Sequence, residues 1–154
     1  MIQRIQSLYI SIVVALGFLM LSGNIVSFAG TDGTGSYLRY NGLYQTSHSI
    51  VQKTEAVLPL SVLLVTIPVI AFAALFLFRN RKLQLRASVL TMLLIIGEII
   101  LIAWYIFYSI TRYDLMVVFN IKIIFPVVSV ILMYLAFRGI LKDELIVRSY
   151  DRIR

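Results

Sequence analysis

Hydrophobic positions gather into four long runs, Ser7 to Ala29, Ala56 to Phe78, Ala87 to Ile110 and Leu115 to Phe137, separated by polar stretches. Each run is at least as long as the roughly 20 apolar residues that cross a bilayer core, and none alternates with the period of two expected of a barrel strand. Backbone N–H and C=O groups cannot be left open in lipid, so such runs predict helices. The pattern therefore predicts an all-α integral membrane protein, with 1–154 as one domain and four transmembrane helices in an antiparallel bundle at about 7–29, 56–78, 87–110 and 115–137. The connection around Thr111 to Asp114 is short, which makes the last two helices antiparallel neighbours. No internal repeat, heptad array or low-complexity tract stands out.

Arg4 and the small-x-small triplet Ser27-Phe28-Ala29 also fit a cleaved signal peptide. The apolar stretch exceeds the roughly 7–15 residues of a signal-peptide core, so the first run is expected to remain as a span. Pro59, Pro68 and Pro126 each lack the backbone N–H that a helix interior uses, and Pro68 lies in the middle of the second run, where the missing donor predicts a kink. Ser7, Ser11, Ala15 and Ser22 fall near one stripe of the first helix. They are expected to pack inside the bundle, with a partner-facing surface as the alternative.

The outer loop, 30–55, opens with the flexible run Gly30 to Ser36. Beyond it, Tyr37-Leu38-Arg39-Tyr40 and Leu43-Tyr44-Gln45-Thr46 flank Asn41-Gly42, a pair suited to the positive φ angles of a type I′ turn. A short β-hairpin between helices 1 and 2 is predicted on the outer face, with its tyrosine rings at the membrane interface. It either caps the bundle or docks a partner outside. His48, between two serines, is expected to be an interface residue and not a catalytic base.

Charge sets the orientation. Arg4, the connection with Arg79, Arg81, Lys82 and Arg86, and the tail 138–154 with Arg138, Lys142, Arg148, Arg152 and Arg154 fall on one side, against Arg39, Lys53 and Arg112 on the other. By the positive-inside rule both termini are cytoplasmic. This asymmetry accounts for much of the net charge of +7, a value that otherwise suggests a nucleic-acid partner. No aromatic interleaving supports such a partner, and anionic phospholipids are the expected contact of Arg79-Asn80-Arg81-Lys82.

Composition agrees with the membrane reading: 60% of residues are hydrophobic, 14% are charged, and the mean hydropathy is +0.94. It also removes chemistry. No cysteine is present, so there is no thiol nucleophile or thiolate ligand, and one histidine cannot form a His pair within a single chain. Asp32 and Glu55, the outer-loop carboxylates, match no triad spacing, and the spans hold a single carboxylate where an aspartyl dyad needs two. No enzyme activity, cofactor or metal is expected.

The start Met1-Ile2-Gln3-Arg4-Ile5-Gln6-Ser7-Leu8-Tyr9, the loop Arg79-Asn80-Arg81-Lys82-Leu83-Gln84 and the ending from Leu141-Lys142-Asp143-Glu144 through Val147-Arg148-Ser149-Tyr150-Asp151-Arg152 to Arg154 carry the most distinctive polar patterns. Together they resemble a domain-of-unknown-function family of small four-span inner-membrane proteins found in Bacteroidetes. The resemblance covers the whole chain, implies the same topology, and brings no catalytic or cofactor residues.

Two sets of candidate residues follow. The polar terminal motifs give a partner-binding set: Gln3, Arg4, Gln6, Arg79, Arg81, Lys82, Lys142, Asp143, Glu144, Arg148, Asp151 and Arg152. The tail is expected either to extend as a solvated helix or to fold against Gln3, Arg4, Gln6 and the Arg79 to Arg86 loop. Glu98 and Lys122, the ionisable groups inside the spans, give an intramembrane set. Thr91, Tyr105 and Arg112 share the stripe of Glu98, while Ser129 and Ala136 share that of Lys122.

On ideal helices, Glu98 and Lys122 differ by about 6 Å in depth and lean apart, so Lys122 is expected to reach the outer interface and Glu98 to make a structural contact, without a direct pair. The functional expectation is a non-catalytic accessory or scaffold subunit of a larger inner-membrane protein complex in the bacterial cytoplasmic membrane. Other membrane proteins are the expected partners, and a homo-oligomer is possible. The alternative is a small transporter or proton-conducting subunit using Glu98 and Lys122.

Overall fold

The structure, a computed structural model, describes residues 2–30, 35–47, 50–77, 80–113 and 116–151, with side chains described except at 2–4, 47, 50–51, 113 and 146–151. Helix α1 (Ile2–Met20) is followed by strands β1 (Val26–Ala29), β2 (Gly35–Arg39), β3 (Gly42–Ser47) and β4 (Ile50–Glu55). Helices α2 (Leu58–Phe76) and α3 (Arg81–Tyr113), strand β5 (Met116–Val118), a 3-10 turn (Ile121–Ile124) and α4 (Phe125–Asp151) complete the order. The strands form one antiparallel sheet in the order β4-β3-β2-β1-β5.

The all-α expectation is therefore wrong, and so is that of four transmembrane helices in an antiparallel bundle. The hairpin is the centre of a five-stranded sheet that also takes residues from two of the apolar runs. Three segments are long and apolar enough to cross a membrane: Leu58–Phe76, Arg81–Arg112 and Ile121–Leu145. Among the described residues of α1, the apolar stretch is the shorter Ile5–Met20.

The physical reason lies in the run ends. After Met20 the helix tightens, with Leu21 N–H donating to Phe18 O and Ser22 N–H to Leu19 O, and Gly23 takes φ +67°, a left-handed angle that favours glycine. Ile25 N–H then donates to Leu38 O at 2.8 Å, so Val26–Ala29 continues as a strand despite its apolar character. A short apolar segment ending a helical run has no periodicity of its own to separate strand from helix. Met116–Val118 behaves the same way, pairing with β1 before α4 begins with Pro126 in its first turn, where the missing N–H costs nothing.

The hairpin turn is displaced by one residue from its expected position. Arg39 pairs with Gly42, leaving Tyr40 and Asn41 as the loop. Gly42 is required there for close approach: a Cβ would stand 2.6 Å from Lys53 Cε and 2.9 Å from Glu55 O.

Helix α1 packs against α2 and α4, and α3 packs against the same two, so each helix has two neighbours. The buried positions include Gln6, Ile10, Val13 and Met20 on α1, and Leu60, Leu64, Ile67, Ala71 and Ala74 on α2. On α3 they include Gln84, Ser88, Thr91, Ile95, Glu98, Ile102 and Ser109, and on α4 Ser129, Met133, Ala136 and Ile140. These spacings of three and four make a seam with a period near 3.5, the pattern for helices crossing at about 20°. It is a heptad array that the outward-facing apolar residues hide in the sequence.

Helix α2 runs through Pro68, whose ring would lie 3.0 Å from a Cβ at Gly17, so a glycine on α1 makes room for it. The small stripe does not pack inside: Ser11, Ala15 and Ser22 are exposed. One core cluster, including Met20, Phe28, Leu38, Leu43, Leu60 and Ile102, joins the sheet to the helices. A second, including Ile10, Ile67, Ile95, Met133 and Ile140, fills the other half.

Candidate functional site

The helix ends away from the sheet bring the three polar motifs together. Helix α4 continues unbroken through the expected tail to Asp151, and α3 begins at Arg81, so most of the basic connection is helical. At 33 residues α3 is about 50 Å long, well beyond a bilayer core of about 30 Å, and so its polar start can reach the headgroup layer. Gln6 Nε2 donates to Asp143 Oδ2 at 3.0 Å, and Arg81 Nη1 lies 4.0 Å from the same oxygen. Three helices thus meet on one carboxylate. Gly139, one turn before Asp143, makes the approach possible, since a Cβ there would stand 2.8 Å from Gln6 Cγ.

Gln6 is buried and Asp143 is 13% exposed, so the hydrogen bond holds a defined geometry. The longer contact with Arg81, 29% exposed, contributes modest electrostatic energy. The arrangement clamps helix ends and presents charge around them; it brings no nucleophile to a base. Among the described residues no group of three or more His, Asp or Glu side chains is placed to hold a metal.

Of the other partner-binding candidates, Lys142 is exposed on α4, and Lys82 and Glu144 line a groove beside the clamp with Leu85, Arg86, Leu141 and Leu145. The side chains of Gln3, Arg4, Arg148 and Asp151 lie outside the described residues, as do Arg79, Arg152 and His48.

The intramembrane candidates are not brought together. Glu98 is buried on the inner face of α3, whereas Lys122 sits in the 3-10 turn with Nζ 3.5 Å from Ser22 Oγ. Thr91 shares the buried face of Glu98, but Arg112 is exposed. The hydroxyls on that face close on their own helix: Ser88 donates to Gln84 O, Thr91 to Ala87 O and Ser109 to Tyr105 O, at 2.8–2.9 Å. Each of these hydroxyl protons is thereby used within its own helix.

At the sheet end a second polar arrangement goes beyond the sequence expectations. Arg39 Nε donates to Asn24 Oδ1 at 2.9 Å while its guanidinium lies over the Tyr37 and Tyr44 rings, 4.8 and 5.8 Å from their centroids. Those rings stack across β2 and β3 at 5.4 Å. Asn120 Nδ2 donates to Ser27 Oγ at 3.0 Å, Tyr108 Oη donates to Glu55 Oε1 at 3.0 Å, and Ser61 Oγ donates to Tyr40 O. The i,i+2 spacing of Tyr37 and Arg39 is a legible sign of a shared strand face; Asn24 and Asn120 carry no such sign, because the turns that aim them are tertiary.

No curated protein matches the chain. Residues 2–153 match the profile of the domain-of-unknown-function family DUF4293, and with nearly its whole length covered the chain belongs to that family.

Proposed function

We propose that the protein is a non-catalytic accessory or scaffold subunit of a larger inner-membrane assembly, with the clamped helix ends as its cytoplasmic contact face. The observation that carries this reading is the junction of Gln6, Arg81 and Asp143, which holds three helix ends in one arrangement beside exposed Lys82 and Lys142. A preformed charged surface of this kind loses little conformational entropy on docking. Arg81, Lys82, Arg86, Arg138 and Lys142 lie toward this end, whereas Arg39, Lys53 and Arg112 lie toward the sheet, and on that asymmetry we assign the clamp to the cytoplasm. The self-bonded hydroxyls beside Glu98 favour a packing seam over a conduction path.

The test compares tagged wild type with Asp143→Ala, extracted in mild detergent and analysed by quantitative mass spectrometry. The variant should reach the membrane at wild-type levels and lose its co-purifying membrane proteins several-fold. Equal recovery of every wild-type partner would remove the clamp from the contact face.

A further inference from the structure

We propose that the groove between the first turns of α3 and the Leu141 to Leu145 turn of α4 binds the headgroup of an anionic phospholipid. Its volume is about 300 Å³, and its walls are Lys82, Leu85 and Arg86 from α3 and Leu141, Glu144 and Leu145 from α4. That volume is at the lower end of the range for small-molecule sites, roughly 300–1,000 Å³, so it fits a headgroup and the beginning of an acyl chain.

Lys82 and Arg86 are one helical turn apart, at i and i+4, and both are exposed. Like charges so placed repel each other unless an anion lies between them. Among the described residues neither makes an ion pair; the arginine that does, Arg81, is engaged by Asp143 instead. Glu144 supplies one negative charge against these two positive ones, leaving a cationic balance that suits a phosphodiester.

The leucines decide between a lipid and a soluble anion. Leu141 and Leu145 are 37% and 58% exposed at the end of the candidate span Ile121–Leu145, and Lys82 and Arg86 stand at the start of the span Arg81–Arg112. Cations and leucines therefore meet where chain leaves bilayer, the depth at which a lipid headgroup joins its acyl chains. A soluble phosphate would leave the apolar wall uncovered.

The inference rests on the membrane placement of these helix ends and is independent of any protein partner. Binding read in detergent also does not depend on which side the ends face. The full chain, purified in detergent, is titrated with phosphatidylglycerol or with phosphatidylcholine of the same acyl chains, and retained lipid is read by native mass spectrometry.

Phosphatidylglycerol should be retained more strongly, and Lys82→Gln with Arg86→Gln should weaken its binding by about fivefold per cation while leaving phosphatidylcholine unchanged. Lys53→Gln, at the sheet end, should alter neither. Leu145→Ser should also weaken phosphatidylglycerol. Both cations are exposed, so folding should survive their replacement; either single variant, with its own fivefold loss, is read if the double one fails to purify. Undiminished binding by these cation variants, an equal loss in Lys53→Gln, no loss in Leu145→Ser, or displacement of the lipid by inorganic phosphate would overturn the assignment.

Discussion

A Cβ at position 139 would stand 2.8 Å from Gln6 Cγ and 2.9 Å from its Nε2, closer than packed atoms approach. Gly139→Ala should therefore push Gln6 off Asp143 and cost about 1–3 kcal/mol, the usual range for overpacking. In a Gln6→Ala background most of that penalty should vanish, because the obstructing side chain is gone. Thermal unfolding of the four proteins in detergent checks both expectations through their coupling. Gln6, Arg81 and Asp143 were legible in the sequence as polar residues of the terminal motifs. Gly139 was not, since a glycine's value as a point of approach depends on what a distant segment brings to it. Glu98 was legible as a buried acid, whereas its neighbours' self-contained hydrogen bonds were not.

At the scale of elements, long apolar runs identified α2 and α3 as helices and failed where short apolar segments change partner. Val26–Ala29 and Met116–Val118 are as apolar as the helices they adjoin, and what makes them strands is pairing with each other and with β2. The hairpin was legible from Asn41-Gly42 between aromatic stretches, but its register was not, because Gly42 serves as a gap for Lys53 and Glu55 rather than as a positive-φ turn residue. Gly42→Ala should accordingly destabilise the β3–β4 pairing by about 1–3 kcal/mol, since Glu55 O is backbone and cannot swing aside. Hydrogen exchange of the Leu43 to Thr46 amides should rise while that of the α2 and α3 centres stays slow. The buried seam of α3, Gln84 to Ser109, was half legible: Thr91 and Glu98 stand seven residues apart on one stripe, with the partly buried Tyr105 seven further on, but the alternating members Ser88, Ile95 and Ile102 emerge only once the inner face is known.

For the whole molecule, the distribution of polarity is that of a membrane protein. Leu93, Ile100, Trp104 and Phe107 are exposed on α3 while Ser88, Thr91, Glu98 and Ser109 are buried, so apolar surface faces outward and small polar groups lie between helices. The sheet, with its Tyr37, Arg39 and Tyr44 face, closes one end, and the Gln6–Asp143–Arg81 clamp with its lysines closes the other. The functional proposal requires those two ends to lie on opposite sides of one membrane. The chain has no cysteine, so single-cysteine variants Lys53→Cys and Lys142→Cys, both at exposed positions, report the two ends without background. With a membrane-impermeant maleimide on intact cells whose outer barrier has been opened, position 53 should label at once and position 142 only after the inner membrane is permeabilised. Labelling of both positions from the same side, or of position 142 alone from outside, would contradict the account.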